Sequence, residues 1–192
     1  MILKQIIFFA FISLIYANPG FSQGPPPPPP PPAYIYSSPA ESSLIRFSPE
    51  DKSFRAIFPG KPELISSQAD GMQISTYRAK TGGATWIVGS VETGREWKGN
   101  ENAAYLILEG NLSNRPGAKI IEKRDVETGS FKGVEFDVDY KLEFAKNRFF
   151  AVGTQLWIIE CRVSNWHIFS DLVKEAWRED VSKFFDSVVF PE

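Results

Sequence analysis

From Leu44 onward the spacing of apolar side chains changes period several times, and each change marks an element. Phe54, Ala56 and Phe58 alternate with Arg55 and Ile57, the two-residue period of a strand. Ser48-Pro49-Glu50-Asp51 before it suits a type I turn. Phe58-Pro59-Gly60-Lys61 after it suits a type II turn, with Gly60 taking φ > 0. Leu44 to Phe47 predicts a short preceding strand. Glu63–Gln68 and Met72–Ala79 flank Asp70-Gly71, a hairpin signal, and Thr81-Gly82-Gly83 makes a further turn. Ala84–Val91 is apolar on both faces and predicts a central strand, with Gly89 marking a bulge or the close approach of a helix.

The period then lengthens. Ala104, Ile107, Leu108 and Leu112 recur at helical spacing, predicting a helix from Glu101 to Leu112 with Asn100 as its N-cap. Ala118–Glu127 returns to strand. From Gly133 to Glu143 the alternation is cleanest: Val134, Phe136, Val138, Tyr140 and Leu142 face inward, and Glu135, Asp137, Asp139, Lys141 and Glu143 face solvent. Arg148–Val152 and Gln155–Val163 read as a hairpin around Gly153-Thr154. Val173, Trp177, Val181, Phe184 and Val188 form the stripe of a second helix from Asp171 to about Asp186, and Val188–Phe190 as a short terminal strand. The fold class is α+β, a single antiparallel sheet of about six or seven strands packed with two or more helices, in one domain over 44–192.

The residues before 44 lack such periodicity. An apolar run after Lys4, from Gln5 to Ala17, has the length of a signal-peptide h-region, and Gly20 and Ser22 supply small residues for cleavage before Gln23. Residues 1–22 are therefore expected to direct export to the periplasm or the extracellular space, the rival reading being an uncleaved anchor. Residues 23–43 read as a disordered proline-rich linker. Its eight consecutive prolines, Pro25–Pro32, favour polyproline II and span roughly 25 Å. A spacer explains them better than a ligand for a proline-binding groove, because no Arg or Lys flanks the run between Lys4 and Arg46.

Charge and cysteine content narrow the function further. Without residues 1–22 the chain carries 23 acidic and 20 basic side chains, which disfavours nucleic acid and offers no polybasic cluster for a membrane surface. No stable membrane insertion is expected after signal cleavage. Cys161, the single cysteine, rules out an internal disulfide, so the core must hold the domain together.

No nucleophile motif, phosphate-binding loop or zinc-ligand spacing is present, and no metal or cofactor is implied. Cys161 and the sole histidine, His167, read as a buried thiol and a loop residue. Glu135, Asp137 and Asp139 invite a calcium or glycosidase reading, since alternate residues on one strand face lie about 6.5–7 Å apart, but a solvated acidic face explains them more simply. Asn111-Leu112-Ser113 is a glycosylation sequon, meaningful only in a eukaryotic secretory route. Trp97 and Trp166 fall near connections, where exposed aromatic rings contact ligands or partners, and are the surface-site candidates.

Phe54-x-x-x-Phe58-Pro59-Gly60-x-Pro62 and Phe184-Phe185-Asp186-Ser187 resemble the first strand and closing helix of PsbP-like small exported domains, over about 44–192. The resemblance implies a central antiparallel sheet flanked by helices and a non-enzymatic accessory or assembly role; the group includes extrinsic subunits of photosystem II. It assigns no functional residue. The expectation is thus an exported, non-catalytic binding or accessory domain whose partner is an unknown protein or small ligand. The alternatives are a carboxylate-dependent envelope enzyme acting on polysaccharide, or a structural envelope protein using its proline run as a contact.

Overall fold

The strand Ala84–Glu92 is buried along nearly its whole length, and its place in the sheet explains why. The computed structural model describes residues 36–69 and 71–191. The expected export signal, the proline run and the hairpin residue Asp70 lie outside the described residues. We label the strands β1 (Ile45–Phe47), β2 (Ala56–Phe58), β3 (Glu63–Ala69), β4 (Met72–Thr81), β5 (Ala84–Glu92), β6 (Lys119–Thr128), β7 (Phe131–Asp139), β8 (Glu143–Val152) and β9 (Gln155–Ser164). The helices are α1 (Glu101–Ser113) and α2 (Asp171–Ser187). Seven strands form one sheet in the order β3-β4-β5-β9-β8-β7-β6, with every pairing antiparallel.

Alternation along β9 divides the core. Trp157, Ile159, Cys161 and Val163 share a cluster with Trp86 of β5 and Trp177, Val181, Phe184 and Phe185 of α2. Leu156 and Ile158 belong to the cluster formed with Ala104, Tyr105, Leu108 and Leu112 of α1. A helix on each face leaves β5 no solvent side, hence its nearly continuous apolar run. The expected architecture is therefore sheet-dominated α+β with two helices. It has, however, a second sheet: β1 and β2 pair only with each other. The end of α2 clamps β2, since Ile57 N donates to Ser187 Oγ at 2.8 Å and Arg55 and Val189 exchange two backbone hydrogen bonds of 2.9 Å.

Several local expectations shift. The first turn closes between Pro49 O and Lys52 N, one residue later than proposed, with Lys52 at φ 53° and the Asp51 carboxylate accepting from Ser53 N. Gly60 takes φ 143°, a glycine conformation outside the range of a type II turn. Gly89 marks neither a bulge nor a helix: register runs through it unbroken, and a Cβ there would lie 3.2 Å from Ile158 Cγ2 of the neighbouring strand. The register shift is in β6, between Ile120 and Glu122. Asn100 makes no side-chain cap; the Glu101 carboxylate accepts from Gly99 N instead.

The strand expected over Gly133–Glu143 ends at Asp139, and Glu143 opens β8. Between them Lys141 adopts φ 70° and Leu142 is 74% exposed rather than inward. The start of the fold also moves. Tyr36, assigned above to the linker, is buried in the α2-side core, and residues 36–44 run over the domain as a strap. Its anchors are Tyr36 Oη donating to Asp180 Oδ2 at 2.6 Å and Ser37 N donating to Gly82 O at 3.0 Å. Gly82 lies at φ 59°, where a Cβ would collide with Ser37 O.

Candidate functional site

Glu135 and Asp137 of β7 are taken up by cations on the neighbouring strands rather than by open solvent. Glu135 stands directly opposite Arg124 of β6 and Arg148 of β8, and Asp137 opposite Lys146. Cross-strand neighbours on one face lie within side-chain reach, so this register alone assembles an ionic strip. Arg148 Nε donates to Glu135 Oε2 at 2.7 Å, Lys146 Nζ to Glu135 Oε1 at 3.1 Å, and the Arg124 guanidinium also pairs with Glu135. Lys146 Nζ reaches Asp137 Oδ1 at 2.6 Å. Arg148 ties the strip to α2, contacting Asp186 Oδ1 at 3.5 Å and lying 4.9 Å above the Phe185 ring.

Glu135 is only 1% exposed. Burial pushes its carboxyl upward, but hydrogen bonds and charge from Arg148 and Lys146 outweigh this and hold it below the ordinary carboxylate range. A buried carboxylate kept ionised by three cations has no proton to donate to a leaving group and is closed to an incoming sugar. Asp139 is apart from the strip, accepting from Lys141 N at 2.8 Å and facing His167 Nε2 at 3.2 Å. The three acids therefore do not converge.

The other sequence candidates are also placed elsewhere. Cys161 is fully buried, and burial raises its thiol well above the ordinary value. His167 is half exposed beside Asp139. Trp97 and Trp166, expected at the surface, are 4% and 7% exposed. The Trp97 indole donates to Thr93 Oγ1 at 2.9 Å and packs in the α1 cluster. Trp166 stacks on Phe144 at 4.6 Å and meets Trp177 edge-on at 5.1 Å. Aromatic area near a chain connection has here been used to close the ends of the core. Asn111 of the sequon lies within α1 with its Nδ2 buried. On the α1 face Asn147 is fully buried with neither amide atom hydrogen-bonded. Among the described residues no group of His, Cys, Asp or Glu side chains is arranged to hold a metal ion.

One concave site escapes sequence reading because four distant segments build it. A cleft of about 400 Å³ opens between the strap and α2. Pro39, Glu41 and Leu44 form one wall and Ile57 and Pro59 another, while Trp86, Phe184, Asp180 and Lys183 complete it. Its volume is within the range of small-ligand sites, about 300–1,000 Å³. Polar groups are few and unequal. Asp180 is 17% exposed and Lys183 74%, with 3.9 Å between Lys183 Nζ and Asp180 Oδ1. Asp180 Oδ2 is engaged by Tyr36, and burial together with this carboxylate pushes the Tyr36 phenol far above its ordinary value. The strap is thus both a wall of the cleft and the element that orients its best-sheltered charge.

Among the described residues no helix is long and apolar enough to cross a membrane. No family model and no curated protein matches the chain. Among solved structures, a crystal structure from Bacteroides thetaiotaomicron is similar at 8% identity and a TM-score of 0.45, over 78% of this chain and 49% of that one. This chain thus spans about half the length of that protein. A Pseudomonas aeruginosa protein of unknown function, PA94, is similar at 13% identity and a TM-score of 0.44, over 78% of this chain and 97% of that one.

Proposed function

We propose that the chain is an exported, non-catalytic binding or accessory domain carried on a proline-rich stalk, and that the cleft between the strap and α2 is where it binds. The observation that carries this reading is the contrast in chemistry between the cleft and the acidic strip. The carboxylates that composition offers for hydrolysis are paired across strands, while the concave surface is walled mainly by apolar side chains. The two stretches that carry the PsbP-like resemblance lie together at this site, with Phe58 and Phe184 in edge contact at 5.3 Å, and the accessory role implied by that resemblance belongs to the proposal. In this reading the proline run, which precedes the strap in the sequence, is a spacer.

The test is a thermal-shift screen of small molecules against the chain beginning at Gln23, run beside an assay for reducing ends released from envelope polysaccharides. Ligands that raise the melting temperature of the wild type but not of Leu44→Trp, which adds bulk at the cleft wall, are expected. Reducing ends released by the wild type but not by Glu135→Gln would establish the hydrolase instead. Export is tested separately by sequencing the mature N-terminus. The expected first residue is Gln23, and an intact Met1 would refute cleavage.

A further inference from the structure

The binding reading leaves the ligand's chemistry open, and the cleft's charges restrict it. Resting on that reading, we propose that the cleft takes a small apolar amine: an ammonium group on a short aromatic or aliphatic body, held by Asp180. Two carboxylates, Glu41 and Asp180, and one ammonium, Lys183, line the site. Their reach differs more than their number. Lys183 is 74% exposed and Asp180 17%, so the lysine charge is spread into solvent while the aspartate charge acts within a partly apolar cleft, where a charge interaction is stronger.

The two oxygens of Asp180 are also unequal. Oδ2 accepts from the Tyr36 hydroxyl at 2.6 Å, which fixes the carboxylate plane. Oδ1 meets Lys183 Nζ at 3.9 Å, beyond normal hydrogen-bond length. A carboxylate oriented through one oxygen and loosely paired through the other is a prepared acceptor for a cation. Phe184, Ile57 and Leu44 beside it cover apolar surface on the same ligand. An anionic ligand would meet Asp180 and Glu41, with only the solvent-exposed lysine in its favour. Tyr36 acts here as a positioning residue through Asp180.

The experiment titrates three probes of nearly equal shape, phenethylammonium, 2-phenylethanol and phenylacetate, into the isotopically labelled chain beginning at Gln23, following backbone amide shifts at neutral pH. The expected result is shifts at Leu44, Ile57 and Asp180, with the ammonium at least ten-fold tighter than the alcohol and phenylacetate weakest. Asp180→Asn, which keeps an oxygen for Tyr36, should reduce the ammonium preference to less than three-fold. Raising salt should weaken the ammonium and leave the alcohol unchanged, a readout independent of any variant. Equal binding of ammonium and alcohol at the cleft, or tighter phenylacetate, would overturn the amine assignment and leave the binding reading standing. Absence of cleft shifts with every probe would overturn the amine assignment. If the thermal-shift screen also found no Leu44→Trp-sensitive ligand, the binding reading would fall with it.

Discussion

The ionic strip and the cleft both adjoin α2 on the same face of the sheet, yet they use charge in opposite ways. In the strip Glu135 and Asp137 are matched by Arg124, Lys146 and Arg148 on the neighbouring strands. In the cleft Asp180 has one firm partner, Tyr36, and one loose one, Lys183. The strip holds more charge and offers less chemistry, because each group's field is spent on its neighbour. The cleft holds little charge, but places it beside unfilled space. Under the proposed function, density of acidic residues is a poor guide to the site, and incomplete pairing beside a cavity is a better one.

The largest expected effect comes from breaking the strip. Glu135→Gln leaves three cations around a neutral group, and loss of one partner of a buried ion pair costs about 3–5 kcal/mol. The partial exposure of Arg124 argues for the low end, about 3 kcal/mol or roughly 6–12 °C in melting temperature. Because the folded-state carboxyl is held low, its contribution is full above the ordinary carboxylate pKa, about 4.3, and is lost as pH falls through the lower folded value. Denaturation at a series of acidic pH values should therefore show a shallower loss in Glu135→Gln than in the wild type. Binding at the cleft should not change.

Next in size is Tyr36→Phe, which removes the hydroxyl from Asp180 and leaves the ring in place. A hydrogen bond to a charged group contributes about 1.5–3 kcal/mol, and urea denaturation should show a loss near the lower value. The raised Tyr36 pKa means that above about pH 10 the unfolded phenol releases its proton while the folded one keeps it, so stability falls as pH rises. Tyr36→Phe should flatten that alkaline decline, and unlike Glu135→Gln it should weaken cleft ligands. Asn147→Leu, on the opposite face of the sheet from both sites, removes a buried amide with no hydrogen bond and should raise stability by about 1–2 kcal/mol in the same assay. The smallest effect belongs to Lys183→Ala. This exposed side chain should alter stability by less than about 0.5 kcal/mol, while removing a charge that opposes a cationic ligand.

Much of the scaffold is legible in the sequence because it rests on local period and turn chemistry. Phe54, Ala56 and Phe58 all point inward as their alternation requires, and α1 and α2 lie within a residue of their expected limits. Errors arose where a short-range pattern outlasts the element that produced it. Alternation continues through Tyr140 and Leu142, yet the chain turns there at Lys141, a residue type that gives no turn signal. The acids of β7 look solvated because their cations lie on two other strands, and only pairing register brings them together. Trp97 and Trp166 sit near connections that fold back over the core. The cleft is the least legible feature, since Leu44, Ile57, Trp86 and Asp180 share no local pattern and one wall comes from sequence that reads as linker.

The most direct test compares one variant from each region. Glu135→Gln and Leu44→Trp, a substitution at a side chain 46% exposed, are each measured for melting temperature and for binding of phenethylammonium or whichever ligand the thermal-shift screen provides. Glu135→Gln is expected to melt several degrees lower yet to bind as the wild type does at temperatures where both are folded. Leu44→Trp should melt near the wild type and lose binding. A folded Glu135→Gln that no longer binds, or a Leu44→Trp that binds normally, would contradict the assignment of the strip to stability and the cleft to function.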